Sequence, residues 1–151
     1  MKKKAIIVDI DGTITDLSHR LHYIRNPDGI KDSEKFCAEA YKDKPKQEVI
    51  DIITSLYENY TVIFLTGRPE KLREVTSTWL QNHIQPKIEY PILLMQPNND
   101  DSNDDVFKQK IYEEEIKPKY DVVAVFDDRQ RVVDMWRRIG LSCFQVEQWK
   151  E

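Results

Sequence analysis

An α/β fold, a three-layer Rossmann-like parallel sheet, is what the sequence predicts, and three observations point to it. Short β-branched apolar runs alternate with stretches of helical periodicity, as in βα units wound into a sheet. The runs are unbroken, as in parallel strands buried on both faces, where a half-exposed strand would alternate with polar residues. Three of them empty directly into chemically capable residues: Asp9-Ile10-Asp11-Gly12-Thr13, Thr66-Gly67-Arg68 and Asp127-Asp128-Arg129. Open α/β sheets bind ligands just beyond the carboxyl ends of their strands. At 151 residues the chain suits one domain with one core, so a single unit spanning 1–151 is expected.

Taken in order, the strands are expected near 4–9, 61–66, 91–95, 121–126 and 142–146. Between them, Val49, Ile52, Ile53, Leu56 and Tyr60 form one helical stripe, and Leu72, Val75, Trp79 and Leu80 a second. Val132, Val133, Trp136 and Ile139 form another, and Phe107 and Ile111 mark a helix that also carries Asp104 and Lys108. Pro69 stands near a helix start, Pro118 follows a helix end, and Gly140 supplies a left-handed cap. Two stretches fall outside this scheme: a polar insert near 17–45, read as a minimal cap, and an acidic loop from Gln96 to Asp105. Both are expected to border the active site.

Composition excludes several classes. With 33% charged and 40% hydrophobic residues the chain has the balance of a folded globular protein. A net charge of −4 gives no support to broad, sequence-independent nucleic-acid binding, although a local basic cleft could hold a strand end. The start Met1-Lys2-Lys3-Lys4 resembles a signal-peptide n-region, but the apolar stretch after it breaks at Asp9. No membrane association and a cytoplasmic location are therefore expected. Cys37 and Cys143, without Cys-x-x-Cys spacing, indicate neither a disulfide framework nor zinc.

The strand-end residues suit phosphate ester chemistry. Asp9 and Asp11 are two carboxylates at one strand end; alone, Asp-x-Asp-Gly could also be a solvated turn. Thr66, Gly67 and Arg68 offer a hydroxyl, a flexible backbone and a cation to phosphoryl oxygens, or could form a structural turn. Asp127 and Asp128, packed near Asp9 and Asp11, would repel without a counter-charge. An all-oxygen set suits a hard cation, with Mg²⁺ the natural candidate. Their alternative is to cap the helix that follows. Asp104 and Lys108 share a helix face, where a surface pair would add only about 0.3 kcal/mol. Near a nucleophile the ammonium would instead offset crowded negative charge, with Asp104 orienting it.

In chain order, Asp9-x-Asp11-Gly-Thr, Thr66-Gly-Arg, Lys108 and Asp127-Asp128 resemble the four motifs of the haloacid dehalogenase superfamily. The run from Asp127 through Arg129, Val132, Trp136 and Gly140, followed by Cys143, Gln145 and Val146, is similar to the 3′-phosphatase domain of phage polynucleotide kinase/phosphatase. The resemblance implies a haloacid dehalogenase-like fold and substrate or phosphate binding by Arg20, Arg68, Asp104 and Lys108.

A Mg²⁺-dependent phosphomonoesterase acting through an aspartyl-phosphate is thus expected. Asp9 would be the nucleophile and Asp11 the general acid and then base, its pKa raised by burial and neighbouring carboxylates. Mg²⁺ would be held by Asp9, the Asp11 carbonyl and Asp127 or Asp128. The substrate would be a DNA or RNA 3′ end or a nucleotide. The alternatives are a nucleotidase or small-metabolite phosphatase and a non-catalytic phosphate-binding module. The chain departs from the family in carrying Asp100, Asp101, Ser102 and Asn103 where basic residues are usual, and in ending Gln148-Trp149-Lys150-Glu151. It has no G-x-x-x-x-G-K-[ST] loop, so no kinase half is expected within it.

Overall fold

In the computed structural model the strands are, in chain order, β1 (Lys3–Val8), β2 (Thr15–Asp16), β3 (Lys44–Pro45), β4 (Thr61–Pro69), β5 (Ile92–Gln96), β6 (Tyr120–Arg129) and β7 (Cys143–Trp149). The helices are α1 (Ser33–Ala38), α2 (Gln47–Leu56), α3 (Arg73–His83), α4 (Asp104–Ile111) and α5 (Gln130–Arg138). The structure describes residues 1–25, 28–29 and 31–149, without the side chain of residue 149. Three positions of the insert at 17–45 (26, 27 and 30) and the terminal pair 150–151 lie outside the described residues.

Five strands form one parallel sheet in the order β5-β4-β1-β6-β7. β1 is central because it is apolar on both faces. Ala5 and Ile7 join the cluster under α4 and α5, whereas Ile6 and Val8 join the one under α2 and α3. Fully burying such side chains contributes about 1.5–3 kcal/mol each, so two faces of β1 reward the three-layer arrangement. Lys3 and Lys4 fix its register: sliding the strand inward by one residue would put Lys4 where Ala5 is fully buried, at a cost of several kcal/mol for an unpaired ammonium. The place of Asp9 beyond the strand is thereby set.

All five expected strands are present, as are the four helices that flank the sheet. The helix α5 ends as its glycine predicts. Gly140 has φ +96°, and the Leu141 and Gly140 amides donate to the carbonyls of Trp136 and Arg137 at 3.0 and 3.1 Å, which is a Schellman closure. One expected stripe holds except at one position: Val49, Ile53, Leu56 and Tyr60 pack on the core, whereas Ile52 on α2 is 56% exposed and Ile50 is buried in its place. The helical run begun by α4 continues through a π turn at Tyr112–Ile116 and ends just before Pro118, as expected. In the insert, a 3₁₀ turn (Ser18–Tyr23), α1 and the antiparallel pair β2–β3 cover one side of the sheet's carboxyl edge. Among the described residues no helix is long and apolar enough to cross a membrane.

Candidate active site

Neighbouring strands end in neighbouring functional groups. The Asp9 amide still donates to the Phe126 carbonyl at 2.9 Å, prolonging the β1–β6 ladder and setting Asp9 beside Asp127 and Asp128. Carboxylate oxygens of Asp9, Asp127 and Asp128, all buried, lie within 4.8 Å of one another. Lys108, 1% exposed, reaches up from α4 and places Nζ 2.7 Å from Asp9 Oδ1, 3.1 Å from Asp127 Oδ2 and 3.4 Å from Asp104 Oδ2. Asp127 is held further by the Trp136 indole N–H (3.3 Å) and the Asp128 amide (2.9 Å). Capping is therefore not its whole role. The N-cap of α5 is Arg129, without a side-chain cap hydrogen bond.

Two glycines permit this crowding. Gly12 has φ +81°, and a Cβ there would lie 2.1 Å from Asp128 Oδ2. At Gly67 a Cβ would lie 2.4 Å from Asp104 Oδ1, a buried oxygen without a hydrogen-bond partner. The turn carrying Gly12 is pinned from outside by Lys46, which donates to the Gly12 carbonyl at 2.7 Å and pairs with Glu147 of β7.

Opposite Asp9 stands a second charged cluster. Asp11 accepts from Arg68 Nη2 at 2.6 Å and from Arg20 Nη2 at 2.8 Å. Behind both guanidiniums is Asp43, which the sequence reading did not single out. Arg20 grips its carboxylate with Nε and Nη2, each at 2.8 Å, while Arg68 Nη2 approaches at 3.4 Å. Asp43 sits between Lys42 and Lys44 at the end of the insert, a setting that looks like ordinary solvated charge in sequence. Thr66, buried, accepts from the Arg68 amide at 3.1 Å and so shapes the turn at the end of β4. A cavity of about 380 Å³ joins the clusters, lined by Asp9, Asp11, Arg20, Thr66, Gly67, Arg68, Asp104 and Asp128 among others. Lys108 and Asp127 stand behind this wall, in contact with Asp9 directly or through one another.

The electrostatics of the two clusters are opposite. Burial alone would raise Asp11, but Arg68 and then Arg20 outweigh it and hold the carboxyl down at about 2, contrary to the raised value expected from its burial and neighbouring acids. The two arginines, not the carboxylates, are its nearest charges. Burial and the Asp9 charge push Asp127 up to about 7 and Asp128 to about 9. Lys108 moves well above its ordinary range because Asp104, Asp127 and Asp9 together overcome its burial. Thr13 exposes the same imbalance. Its single hydroxyl proton faces Asp9 Oδ2 at 2.9 Å and Asp128 Oδ1 at 3.2 Å, and can serve one of them at a time. Three buried carboxylates with one ammonium and no nitrogen or sulfur donor form a set that a hard divalent cation fits.

This imbalance makes a pH prediction. Asp127 and Asp128 bind protons more tightly in the folded chain than at their ordinary value of 3.8, so stability falls as pH rises from about 4 towards 9. Asp11 acts in a separate window: its contribution is full above about 4 and is lost as pH falls towards 2. In chelator, the melting temperature is expected to be lower at pH 8 than at pH 5, and added Mg²⁺ to raise it more at pH 8. An equal Mg²⁺ response at the two pH values would contradict this charge balance.

Comparison with known proteins assigns the chain to a family. Residues 3–149 match the sequence family of the polynucleotide kinase PNKP phosphatase domain. The chain belongs to that family, and is a phosphatase with the haloacid dehalogenase-like α/β fold. A relative from Autographa californica nuclear polyhedrosis virus, described as a bifunctional polynucleotide kinase/RNA ligase, is 29% identical over 140 residues, or 91% of this chain and 18% of its own. The solved structure of the Pnkp1/Rnl/Hen1 complex contains a chain 35% identical, covering 99% of this chain and 48% of its own, with a TM-score of 0.82. This chain thus spans less than half of those relatives' length. A class C acid phosphatase from Bacillus anthracis, 17% identical with a TM-score of 0.70, covers 98% of this chain and 68% of its own and shares the fold.

Proposed function

We propose that this chain is a Mg²⁺-dependent phosphomonoesterase that removes 3′-phosphates from polynucleotide ends, working as one unit over residues 1–151 with the insert at 17–45 as its cap. The observation that carries the reading is the setting of Asp9. Its buried carboxylate is oriented by Lys108 and Thr13, and it opens on a cavity whose facing group is Asp11. Family membership and the relative described as a polynucleotide kinase/RNA ligase favour a nucleic-acid end over a small ester.

In this reading Asp9 attacks phosphorus as the phosphorus–oxygen bond to the leaving alcohol breaks, giving an aspartyl-phosphate that water then hydrolyses. Asp11 stands ionised before substrate arrives. A phosphate brought beside it raises its pKa by like-charge repulsion, so it takes up a proton with the substrate and passes it to the leaving oxygen. Ionised again, it accepts a proton from the attacking water. Arg20 and Arg68, braced from behind by Asp43, hold Asp11 in place, Lys108 offsets charge on the transferring group, and Thr66 with the Gly67 backbone borders the phosphoryl oxygens. Mg²⁺, held by Asp9, Asp127, Asp128 and the Asp11 carbonyl, would supply charge neutralisation at those oxygens.

The Asp100 carboxylate turns back onto the Ser102 amide and hydroxyl at 2.9 and 2.6 Å. Rates measured side by side on 3′-phosphorylated oligonucleotides, 3′-mononucleotides and 5′-mononucleotides, with Mg²⁺ and with chelator, test the proposal. Oligonucleotides are expected to be the best substrates and chelator to stop turnover. Faster hydrolysis of mononucleotides would make this a nucleotidase instead.

A further inference from the structure

The phosphate chemistry leaves half of the cavity wall unused. Beyond Asp11 the cavity is lined by Leu17, Ile24 and Phe36 from the insert, and by Pro69 and Leu72 from the end of β4 and the turn after it. None of these side chains can bind a phosphate or a sugar hydroxyl. Their position follows from the reaction geometry: with phosphorus at Asp9 and the leaving oxygen at Asp11, whatever the leaving oxygen is attached to extends past Asp11. Arg20 bonds Asp11 there, and its guanidinium carbon lies 4.2 Å from the centre of the Phe36 ring.

We propose that this apolar wall, Phe36 from the insert with Pro69 and Leu72 from beyond Arg68, seats the terminal nucleobase of the substrate strand. The inference rests on the polynucleotide reading above. A nucleobase is the part of a nucleotide that has an apolar π face, and stacking one on an aromatic side chain is favourable whatever the base. Stacking on the wall uses the π face that every base has, so this contact is indifferent to which base is present.

The test uses two 3′-phosphorylated oligonucleotides that differ in the terminal residue, one bearing a base and one abasic, together with glycerol phosphate as an ester without a base. For the unaltered protein, kcat/KM is expected to be about tenfold higher with the base present, carried mainly by KM. In Phe36→Ala that ratio is expected to fall to about one whatever the absolute rate, and Phe36→Trp to restore it. A ratio of one in the unaltered protein, or a ratio unchanged in Phe36→Ala, overturns the base site while leaving a polynucleotide phosphatase standing. Hydrolysis of glycerol phosphate with neither oligonucleotide attacked would remove the polynucleotide reading and the base site with it.

Discussion

Asp9→Asn is expected to abolish hydrolysis, by several orders of magnitude in kcat, while the folded chain survives. The amide has nearly the shape of the carboxylate but no nucleophilic charge. Its carbonyl oxygen can keep the Lys108 contact at 2.7 Å, and its NH₂ can turn to the Thr13 hydroxyl, whose own proton then serves Asp128. Removing one of three crowded negative charges also relieves repulsion, so the melting temperature should not fall by more than a few degrees. Acid-quenched mass spectrometry should find a phosphorylated chain during turnover by the unaltered protein and none in the variant. Retention of even a hundredth of the rate would rule out covalent catalysis through this residue.

Lys108→Met is expected to remove activity and stability together. The side chain is 1% exposed, and its ammonium sits within 3.4 Å of oxygens from Asp9, Asp104 and Asp127. Methionine keeps most of the volume but leaves those acids without their common partner. Breaking a buried ion pair by deleting one side costs about 3–5 kcal/mol. Denaturant titration should show that loss at pH 8 in chelator and a smaller one at pH 5, where Asp127 and its neighbours can take up protons. A variant as stable as the parent at both pH values would mean that Lys108 compensates nothing. The same loss of positive charge beside Asp9 should stop turnover even in saturating Mg²⁺.

Much of this arrangement was legible because strand ends in a parallel sheet are read directly from apolar runs. Val8, Leu65 and Phe126 close such runs, and the sheet order then brings Asp9, Thr66 and Asp127 to one edge without further information. The Asp104–Lys108 pair was visible as a helical spacing, although its burial was not. What sequence concealed depends on long-range contact. Asp43 lies in an insert without periodicity, and its meaning comes from Arg20 at the far end of that insert and Arg68 at the end of β4. Those two arginines also reverse the expected direction of the Asp11 shift. The exposure of Ile52 is a smaller case: α2 has apolar residues on more than one side, and packing chose Ile50 and Ile53.

The β1–β4 and β1–β6 ladders have a consequence for the order of events in folding. Val8 pairs with Phe64 on one side and Phe126 on the other, so the groups at the site meet through contacts between segments far apart along the chain. Such contacts close large loops before they are rewarded, and parallel sheets built from them form slowly. No local piece of the chain, such as one βα unit, holds both the nucleophile and the acids of β6. Catalytic competence is therefore a property of the last stage of assembly, and a chain still waiting for β6 to dock beside β1 carries Asp9 with none of the chemistry around it.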